Sequence, residues 1–199
     1  MNSINKIFSL CLAISCFALA YLYFSSSNIP EGMFEDPKTG KAMLLGEVSI
    51  DELKQKPFAE WYNNEFDNYE LDVELLSAIS DPNQYNYELF LGTWCGDSRR
   101  EVPRLEKIFI ELGIDFNKIA IITVDRDKVS PENEQEGKDI RYVPTLIVKN
   151  NDVEIGKVLI NQEYPYALIK YLDKNFNKDQ IYKSKNGSFK ILVPNWLKI

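Results

Sequence analysis

The hydrophobic positions in the second half of the chain alternate between strand-like runs and helix-like stripes. Residues 87–91 form a short apolar run that predicts a strand. Residues 99–112 follow with apolar side chains at helical spacing. These side chains are Val102, Leu105, Ile108, Phe109 and Leu112. Residues 118–124 are almost continuously apolar, as is typical of a strand buried on both faces in a parallel arrangement.

Turn and cap residues predict the elements that complete this half. Residues 130–132, Ser-Pro-Glu, indicate the start of a short helix. Residues 150–152, Asn-Asn-Asp, tolerate the left-handed backbone of a tight turn. The flanking residues 145–149 and 153–160 therefore predict a hairpin. A closing helix is predicted at residues 165–176.

Strands and helices alternate from residue 87 onward, which predicts an α/β sheet with helices on both faces. Residues 189–193 predict an additional edge strand. Before residue 84, residues 41–48 predict one strand, and residues 50–65 and 72–80 predict two helices.

The first of these helices has a recognisable start. Ser49 with Glu52 three residues later is the pattern of a capping box. Residues 60–74 combine acidic and aromatic side chains, which predicts an amphipathic cover packed on the core with a solvated acidic face. The alternative is a surface for a partner.

Residues 7–24 form an uncharged apolar run, preceded by Lys6. Its length of about 27 Å as a helix is near the lower limit for crossing a bilayer. Three interpretations remain open: an uncleaved anchor, a signal peptide cut after residues 18–20, and lipidation at Cys16. A buried core helix is a fourth. Residues 25–30 read as a linker.

The charges around this run place the body of the chain on the exported, periplasmic side of an inner membrane. The chain would be anchored there by residues 7–24 or released by cleavage.

Composition limits the chemistry that the chain can perform. With 199 residues, 45% of them hydrophobic and 27% charged, it suits one globular domain with extensions. A net charge of −7 argues against nucleic acid as a partner. No histidine is present, which excludes Ser-His-Asp and Cys-His pairs and His-ligated zinc. Beyond Cys11 and Cys16 only Cys95 remains, so we expect no internal disulfide, no metal site and no cofactor.

Cys95 is the strongest chemical signal. It follows the predicted strand and precedes the predicted helix, in the segment Gly92-Thr93-Trp94-Cys95-Gly96-Asp97-Ser98. A Trp-Cys-x-x-Cys segment at such a turn is the usual dithiol redox signature. In this chain Ser98 replaces the second cysteine.

Together with Pro103 inside the following helix and Val143-Pro144-Thr145 before the hairpin, this segment resembles the thioredoxin superfamily over residues 84–176. It is most similar to exported thioredoxin-like proteins with a Trp-Cys-Gly-Asp-Ser site. The resemblance implies a central mixed sheet and a cis-proline at Pro144 beside the active site. Many dithiol members carry a buried Asp six residues before the cysteine, where this chain has Leu89.

With this fold, the chain divides into four parts: an anchor or signal peptide with its linker, an N-terminal strand and helix extension packed on the core, a thioredoxin-like domain, and a C-terminal extension. Their bounds are residues 1–30, 31–83, 84–178 and 179–199.

A cysteine attacks as the thiolate, and a helix N-terminus favours that anion. Arg99 and Arg100 add positive potential one turn on, and Asp97 opposes it, so we expect moderate activation of Cys95. Ser98 is expected either to donate a hydrogen bond to the thiolate or to cap the helix. Alternatively, Cys95 is a small buried residue at a former active site that has lost its function.

The expected substrate-binding residues surround the cysteine. They are Trp94, Gly96, Asp97, Val143, Pro144 and Thr145. Trp94 would shield the thiol and offer a packing surface, or be a half-buried core aromatic. A cis bond before Pro144 would leave neighbouring backbone free to pair with an extended peptide, whereas a trans proline would merely start a strand.

Two functions follow. The first is monothiol exchange of the oxidoreductase or isomerase type, in which Cys95 forms mixed disulfides with substrate proteins or a small thiol and an external thiol resolves them. The alternative is a non-catalytic module that binds envelope proteins or peptides. Peroxide reduction ranks lower, because peroxide-handling families place Thr three residues before the cysteine and this chain has Gly92 there.

Overall fold

The computed structural model describes residues 29–77, 79 and 81–160, and the backbone of two short strands near the C-terminus, β8 (Lys183–Ser184) and β9 (Gly187–Ser188), which pair antiparallel. The apolar run 7–24 lies outside the described residues, as do the predicted helix 165–176 and the predicted strand 189–193. In the part that is described, no helix combines the length and the apolar character needed to cross a bilayer.

The chain divides into two compact units, residues 1–43 and 44–199. In the first unit, β1 (Phe34–Glu35) and β2 (Ala42–Met43) form an antiparallel hairpin. Asp36 organises its turn, because its carbonyl oxygen accepts from the N–H groups of Thr39 and Gly40. Gly40 has a φ of 68°, a left-handed conformation that glycine adopts without steric cost.

The second unit is built on a five-stranded mixed sheet with the order β3-β5-β4-β6-β7. The strands are β3 (Gly46–Glu47), β4 (Asn86–Leu91), β5 (Ala120–Thr123), β6 (Thr145–Asn150) and β7 (Val153–Leu159). β4 and β5 are parallel, and the other neighbours are antiparallel. This α/β architecture, with β4 leading directly into a long helix, confirms the thioredoxin-like fold class that the sequence predicts.

The single strand predicted at residues 41–48 is wrong, since it forms β2 and β3 in two different sheets. Between them, the Leu44 N–H donates to the Thr93 hydroxyl at 3.2 Å instead of to a strand. Gly46 has a φ of 90°, which breaks the extended backbone. A short part of the predicted N-terminal extension therefore pairs with the main sheet through β3.

The helices before β4 are shorter than predicted. Ser49 and Glu52 form the predicted capping box at the start of α1 (Ile50–Leu53). The helix does not continue to residue 65 as expected, because Pro57 lacks an N–H for the helical ladder. The chain turns at this point, with a cis Lys56–Pro57 bond, before α2 (Ala59–Asn68). α3 (Val73–Leu76) is one turn within the predicted helix 72–80.

α4 (Gly96–Glu111) is the long helix that follows β4, and it contains Pro103. The predicted apolar stripe is confirmed up to Phe109, since Val102, Leu105, Ile108 and Phe109 are fully or almost fully buried. Phe109 packs against Tyr87 of β4 with ring centres 4.9 Å apart. α4 therefore covers one face of the sheet.

Polar contacts join α4 to α2 and to Lys54, the residue that follows α1. The buried Glu106 carboxylate accepts from Lys54 Nζ at 2.6 Å and from the Tyr62 hydroxyl at 2.8 Å. Burial and this neighbouring carboxylate raise the pKa of Tyr62 far above its usual value, so the phenol stays a donor. Arg104 pairs with Glu65 at 2.6 Å. These contacts support the interpretation of residues 60–74 as a cover on the core.

The short helix predicted at residues 130–132 is wrong, since residues 131–137 form turns. The Ser130 hydroxyl accepts from the Glu134 N–H at 3.1 Å, and the Ser130 N–H donates to the Gln135 side chain at 3.1 Å. These local side-chain bonds satisfy the backbone without a helical ladder. The β6–β7 hairpin is confirmed, with Asn151 and Asp152 at φ of 48° and 64°.

Candidate functional site

Cys95 lies at the junction of β4 and α4. It is the N-cap residue of α4, with extended backbone at φ −85° and ψ 127°. Its N–H donates to the Gly92 carbonyl at 2.8 Å, and its carbonyl accepts from the Arg99 N–H at 3.1 Å. The thiol is free and half-buried. It therefore lies where the first turn of a helix presents unpaired N–H groups and favours negative charge.

The segment before β6 supplies the contact opposite the thiol. Cys95 Sγ lies 3.4 Å from the Val143 carbonyl oxygen, as a hydrogen-bond donor. The Val143–Pro144 bond is cis, as the resemblance predicted. Val143 and Pro144 are buried, and Val143 packs in an apolar cluster against which Cys95 also packs. The fold thus joins two segments that lie 48 residues apart in sequence.

Trp94 is half-buried, as the interpretation of it as a core aromatic predicts. Its indole N–H donates to the Val124 carbonyl at 2.8 Å, and its ring packs on the apolar cluster. On the ring, the Arg126 guanidinium lies 4.9 Å and the Lys128 ammonium 6.0 Å from the centre. Sequence reasoning missed these two cations, because only the fold brings the turn after β5 to the tryptophan.

Gly92 is required by its contact with Trp94. A Cβ atom at residue 92 would lie 2.6 to 2.9 Å from atoms of the indole ring, closer than real Cβ atoms approach. A threonine therefore does not fit at this position unless Trp94 moves. Packing against Trp94 therefore accounts for glycine at residue 92.

Ser98 has neither of the roles expected for it. It is 1% exposed, and its hydroxyl accepts from the Gly92 N–H at 3.2 Å. The cap residue of α4 is Cys95, and no described hydrogen bond joins Ser98 to the Cys95 sulfur. Ser98 instead fastens the first turn of α4 to the end of β4.

The two arginines after Cys95 act differently from each other. Arg100 pairs with Asp97 at 2.8 Å and with Glu101 at 2.5 Å. The hydrogen bond from Arg100 to Glu101 raises the pKa of Arg100, which keeps the guanidinium charged. Arg99 Nε donates to the Thr93 carbonyl at 2.5 Å. Arg100 therefore compensates the charge of Asp97, while Arg99 holds the turn that carries Cys95.

The remaining predicted residues divide by exposure. Gly96 and Asp97 are exposed on the first turn of α4. Thr145 is buried, and its hydroxyl donates to the Tyr142 carbonyl at 2.8 Å. Tyr142 itself, which the sequence analysis did not single out, is 66% exposed in the segment before the cis bond. Leu89, six residues before Cys95, is fully buried. As a leucine it supplies no carboxylate at this position of β4.

Neither a protein-family model nor a curated protein matches this sequence. Among solved structures, thioredoxin from Fasciola hepatica is 19% identical, with 45% of this chain and 81% of that chain covered and a TM-score of 0.35. Oxidised mitochondrial thioredoxin 3 from Saccharomyces cerevisiae is 22% identical, with 49% and 96% covered and a TM-score of 0.34.

A third similar structure describes the thiol-resolving mechanism of a yeast mitochondrial 1-Cys peroxiredoxin through the glutathione and thioredoxin systems. It is 23% identical, with 52% of this chain and 88% of that chain covered and a TM-score of 0.34. The strand order, the position of Cys95 at the start of α4 and the cis bond before Pro144 are those of a thioredoxin-like fold.

Proposed function

We propose that this chain is a member of the thioredoxin superfamily that performs thiol-disulfide exchange with one thiol. The observation that carries the proposal is the placement of Cys95. Its half-buried sulfur lies at the N-terminus of α4, faces the Val143 carbonyl next to the cis bond, and has Ser98 at the position of a second cysteine.

The exchange takes place in two balanced steps. The Cys95 thiolate attacks one sulfur of a substrate disulfide, the substrate S–S bond breaks, and a Cys95–substrate disulfide forms. The electron pair leaves on the second substrate sulfur, which then takes a proton from water. An external thiolate next attacks the substrate sulfur, and Cys95 leaves as a thiolate. Disulfides are exchanged with no net reduction, which suits isomerisation or removal of thiol adducts.

The residues around Cys95 suit an extended peptide as the substrate. The Val143 N–H makes no hydrogen bond within the part of the chain that the structure describes, and in the proposed complex it would donate to a peptide carbonyl. Tyr142 is exposed beside it, and Trp94 is half-buried next to the thiol. These groups would hold a substrate strand across the sulfur. A small thiol is the second class of partner.

We further propose that this site works on the exported, periplasmic side of an inner membrane. Residues 7–24 would anchor the chain or be removed by cleavage, and the uncharged apolar run after Lys6 supports this placement.

Trapping in the native host tests the exchange function. Cells are quenched with acid, free thiols are alkylated, and disulfide-linked partners are identified on non-reducing gels. Cys95→Ala is the control, which also accounts for adducts at Cys11 and Cys16. We expect discrete partners that disappear in the control. Only unmodified Cys95, with no adducts in any growth condition, would contradict exchange.

A binding module is the second candidate, favoured by the absence of a thiol at residue 98. In that case Cys95→Ala keeps its partners in amine-reactive crosslinking of intact cells, and no partner is lost under reducing conditions. Loss of the same partners from Cys95→Ala supports exchange instead.

A further inference from the structure

Glu88 is a buried carboxylate in β4, the strand that leads to Cys95. Side chains alternate along β4, and Tyr87 packs against α4, so Glu88 and Phe90 point to the opposite face of the sheet. Glu88 is 7% exposed there. A buried carboxylate is costly unless charged or hydrogen-bonding groups compensate it. The groups that compensate Glu88 must therefore lie close to its carboxylate oxygens.

Two lysines compensate Glu88, and they differ in what holds them. Lys149 Nζ lies 2.9 Å from Glu88 Oε2, and Lys149 belongs to β6, whose register against β4 is fixed by the sheet. Lys138 Nζ donates to Glu88 Oε1 and also lies 5.1 Å from the centre of the Phe90 ring. Lys138 belongs to a segment without helix or strand. Its ion pair thus attaches that segment to β4.

The segment that starts at Lys138 carries the groups opposite the thiol. Lys157 of β7 donates to the Lys138 carbonyl, which adds a second attachment. Ile140 packs on the apolar cluster that contains Phe90 and Val143. The Val143 carbonyl at the end of the segment faces Cys95 Sγ. Residues 139–144 belong to no helix or strand, so these attachments act together with the start of β6 and the hydrogen bond from Thr145 to Tyr142 in holding the Val143 carbonyl.

We propose that Glu88 and Lys138 are positioning residues for the Cys95 site. Their ion pair fixes the segment that places the Val143 backbone against the sulfur and beside an incoming substrate. Neither residue touches the reacting atoms. The inference rests on the proposed function only in taking Cys95 as the reacting group.

Lys138→Met and Lys149→Met form a matched pair for the test. Each removes one cation beside Glu88, and both lysine side chains are 27% exposed. The full-length chain is alkylated with iodoacetamide over a range of pH, and peptide mapping reports Cys95 separately from Cys11 and Cys16. We expect Lys138→Met to speed Cys95 alkylation by about threefold or more, since the sulfur loses its contact with Val143. Lys149→Met should leave the rate close to that of the unchanged chain.

Rescue separates positioning from general destabilisation. Lys138→Arg keeps a cation for Glu88 and should restore the original alkylation rate and its pH profile, whereas Lys138→Gln should behave like Lys138→Met. If Lys138→Met does not fold, Lys138→Gln takes its place in the comparison. Equal rates for the Lys138 and Lys149 variants, or no restoration by Lys138→Arg, would overturn the proposal.

The same proteins distinguish this inference from the proposed function. Mixed-disulfide formation with oxidised glutathione is measured in parallel with alkylation. If the unchanged chain forms no mixed disulfide but the alkylation rates differ as expected, exchange fails and positioning stands. If the chain forms the mixed disulfide and Lys138→Met alkylates like Lys149→Met, positioning fails and exchange stands.

Discussion

At the scale of single residues, the proposed exchange depends on Ser98. The fold encloses Ser98 at the position where a dithiol protein has its second cysteine, and its hydroxyl accepts from the Gly92 N–H. A serine hydroxyl does not attack a disulfide at neutral pH, so in the proposed mechanism a mixed disulfide at Cys95 is resolved by an external thiol. The proposed exchange and a net reduction therefore differ by one side-chain atom, the oxygen of Ser98 in place of a sulfur.

Ser98→Cys should convert the chain to dithiol chemistry. With a disulfide-linked peptide in excess and no added thiol, the unchanged chain should accumulate a Cys95–peptide adduct. Ser98→Cys should instead release both peptide thiols and form an internal disulfide between Cys95 and the introduced thiol, as measured by intact mass over time.

Ser98→Ala is the control for this experiment. It should accumulate the adduct like the unchanged chain, while the loss of a partner for the buried Gly92 N–H costs about 1–3 kcal/mol of stability. Release of both peptide thiols by the unchanged chain without added thiol would contradict the monothiol assignment.

Gly92→Ala should damage the site through Trp94. The new methyl group would lie 2.6 Å from the indole, so either the ring or the strand end must move. We expect a loss of about 1–3 kcal/mol in urea unfolding, together with a change in tryptophan fluorescence. If the ring moves, Trp94 would lose its hydrogen bond to Val124.

Gly96→Ala is the matched control, because a Cβ at residue 96 meets no atom within 4 Å and the residue is the first of α4. Alanine there should be neutral or stabilise the chain by less than about 1 kcal/mol. Equal effects of the two substitutions would show that the contact with Trp94 does not matter.

At the scale of elements, two polar contacts between α2 and α4 should contribute very differently. Tyr62 is 1% exposed and donates to the buried Glu106 carboxylate, so Tyr62→Phe leaves a buried acceptor with fewer partners. We expect a cost of about 1–3 kcal/mol in urea unfolding.

Glu65→Gln tests the other contact. Glu65 and Arg104 keep 26% and 25% of their side-chain surface, so solvent screens the pair, and we expect a change of less than about 1 kcal/mol. A larger loss for Glu65→Gln than for Tyr62→Phe would show that the surface pair, and not the buried network, holds α2 on α4.

The elements also show which features local sequence patterns determine. The strand before Cys95, the helix after it and the hairpin at Asn151 were predicted correctly, because burial periodicity and turn residues act over a few neighbours. The helix at Ser130 failed where side-chain hydrogen bonds to Gln135 and Glu134 competed with the helical ladder. At such a sequence, the helical hydrogen bonds and the competing side-chain hydrogen bonds have nearly equal free energies.

The candidate site divides in the same way. The position of Cys95 at the strand-to-helix turn and the cis bond before Pro144 were predicted correctly from their motifs, because such motifs encode backbone geometry. The cations on Trp94 and the attachment of Lys138 to Glu88 depend on contacts between residues far apart in sequence. No local pattern in one sequence reports such pairs, so only the folded chain reveals them.

At the scale of the whole molecule, the compartment determines whether the proposed chemistry can proceed. An oxidising compartment supplies disulfides to attack, while a strongly reducing one would leave a single thiol with few substrates. The monothiol proposal and the proposed periplasmic placement therefore support each other. They also predict where the Cys95 sulfur is accessible in the living cell.

A membrane-impermeant maleimide should label Cys95 in cells whose inner membrane is intact, once the outer membrane is permeabilised. Cys11 and Cys16 lie within the apolar run and should remain unlabelled if that run stays in the bilayer. Cys95→Ala should remove the signal, and a cytoplasmic thiol protein serves as the control for membrane integrity. Labelling of Cys95 only after the inner membrane is broken would contradict export. Labelled chain in the soluble periplasmic fraction would indicate cleavage rather than anchoring, because residues 7–24 would no longer hold it to the membrane.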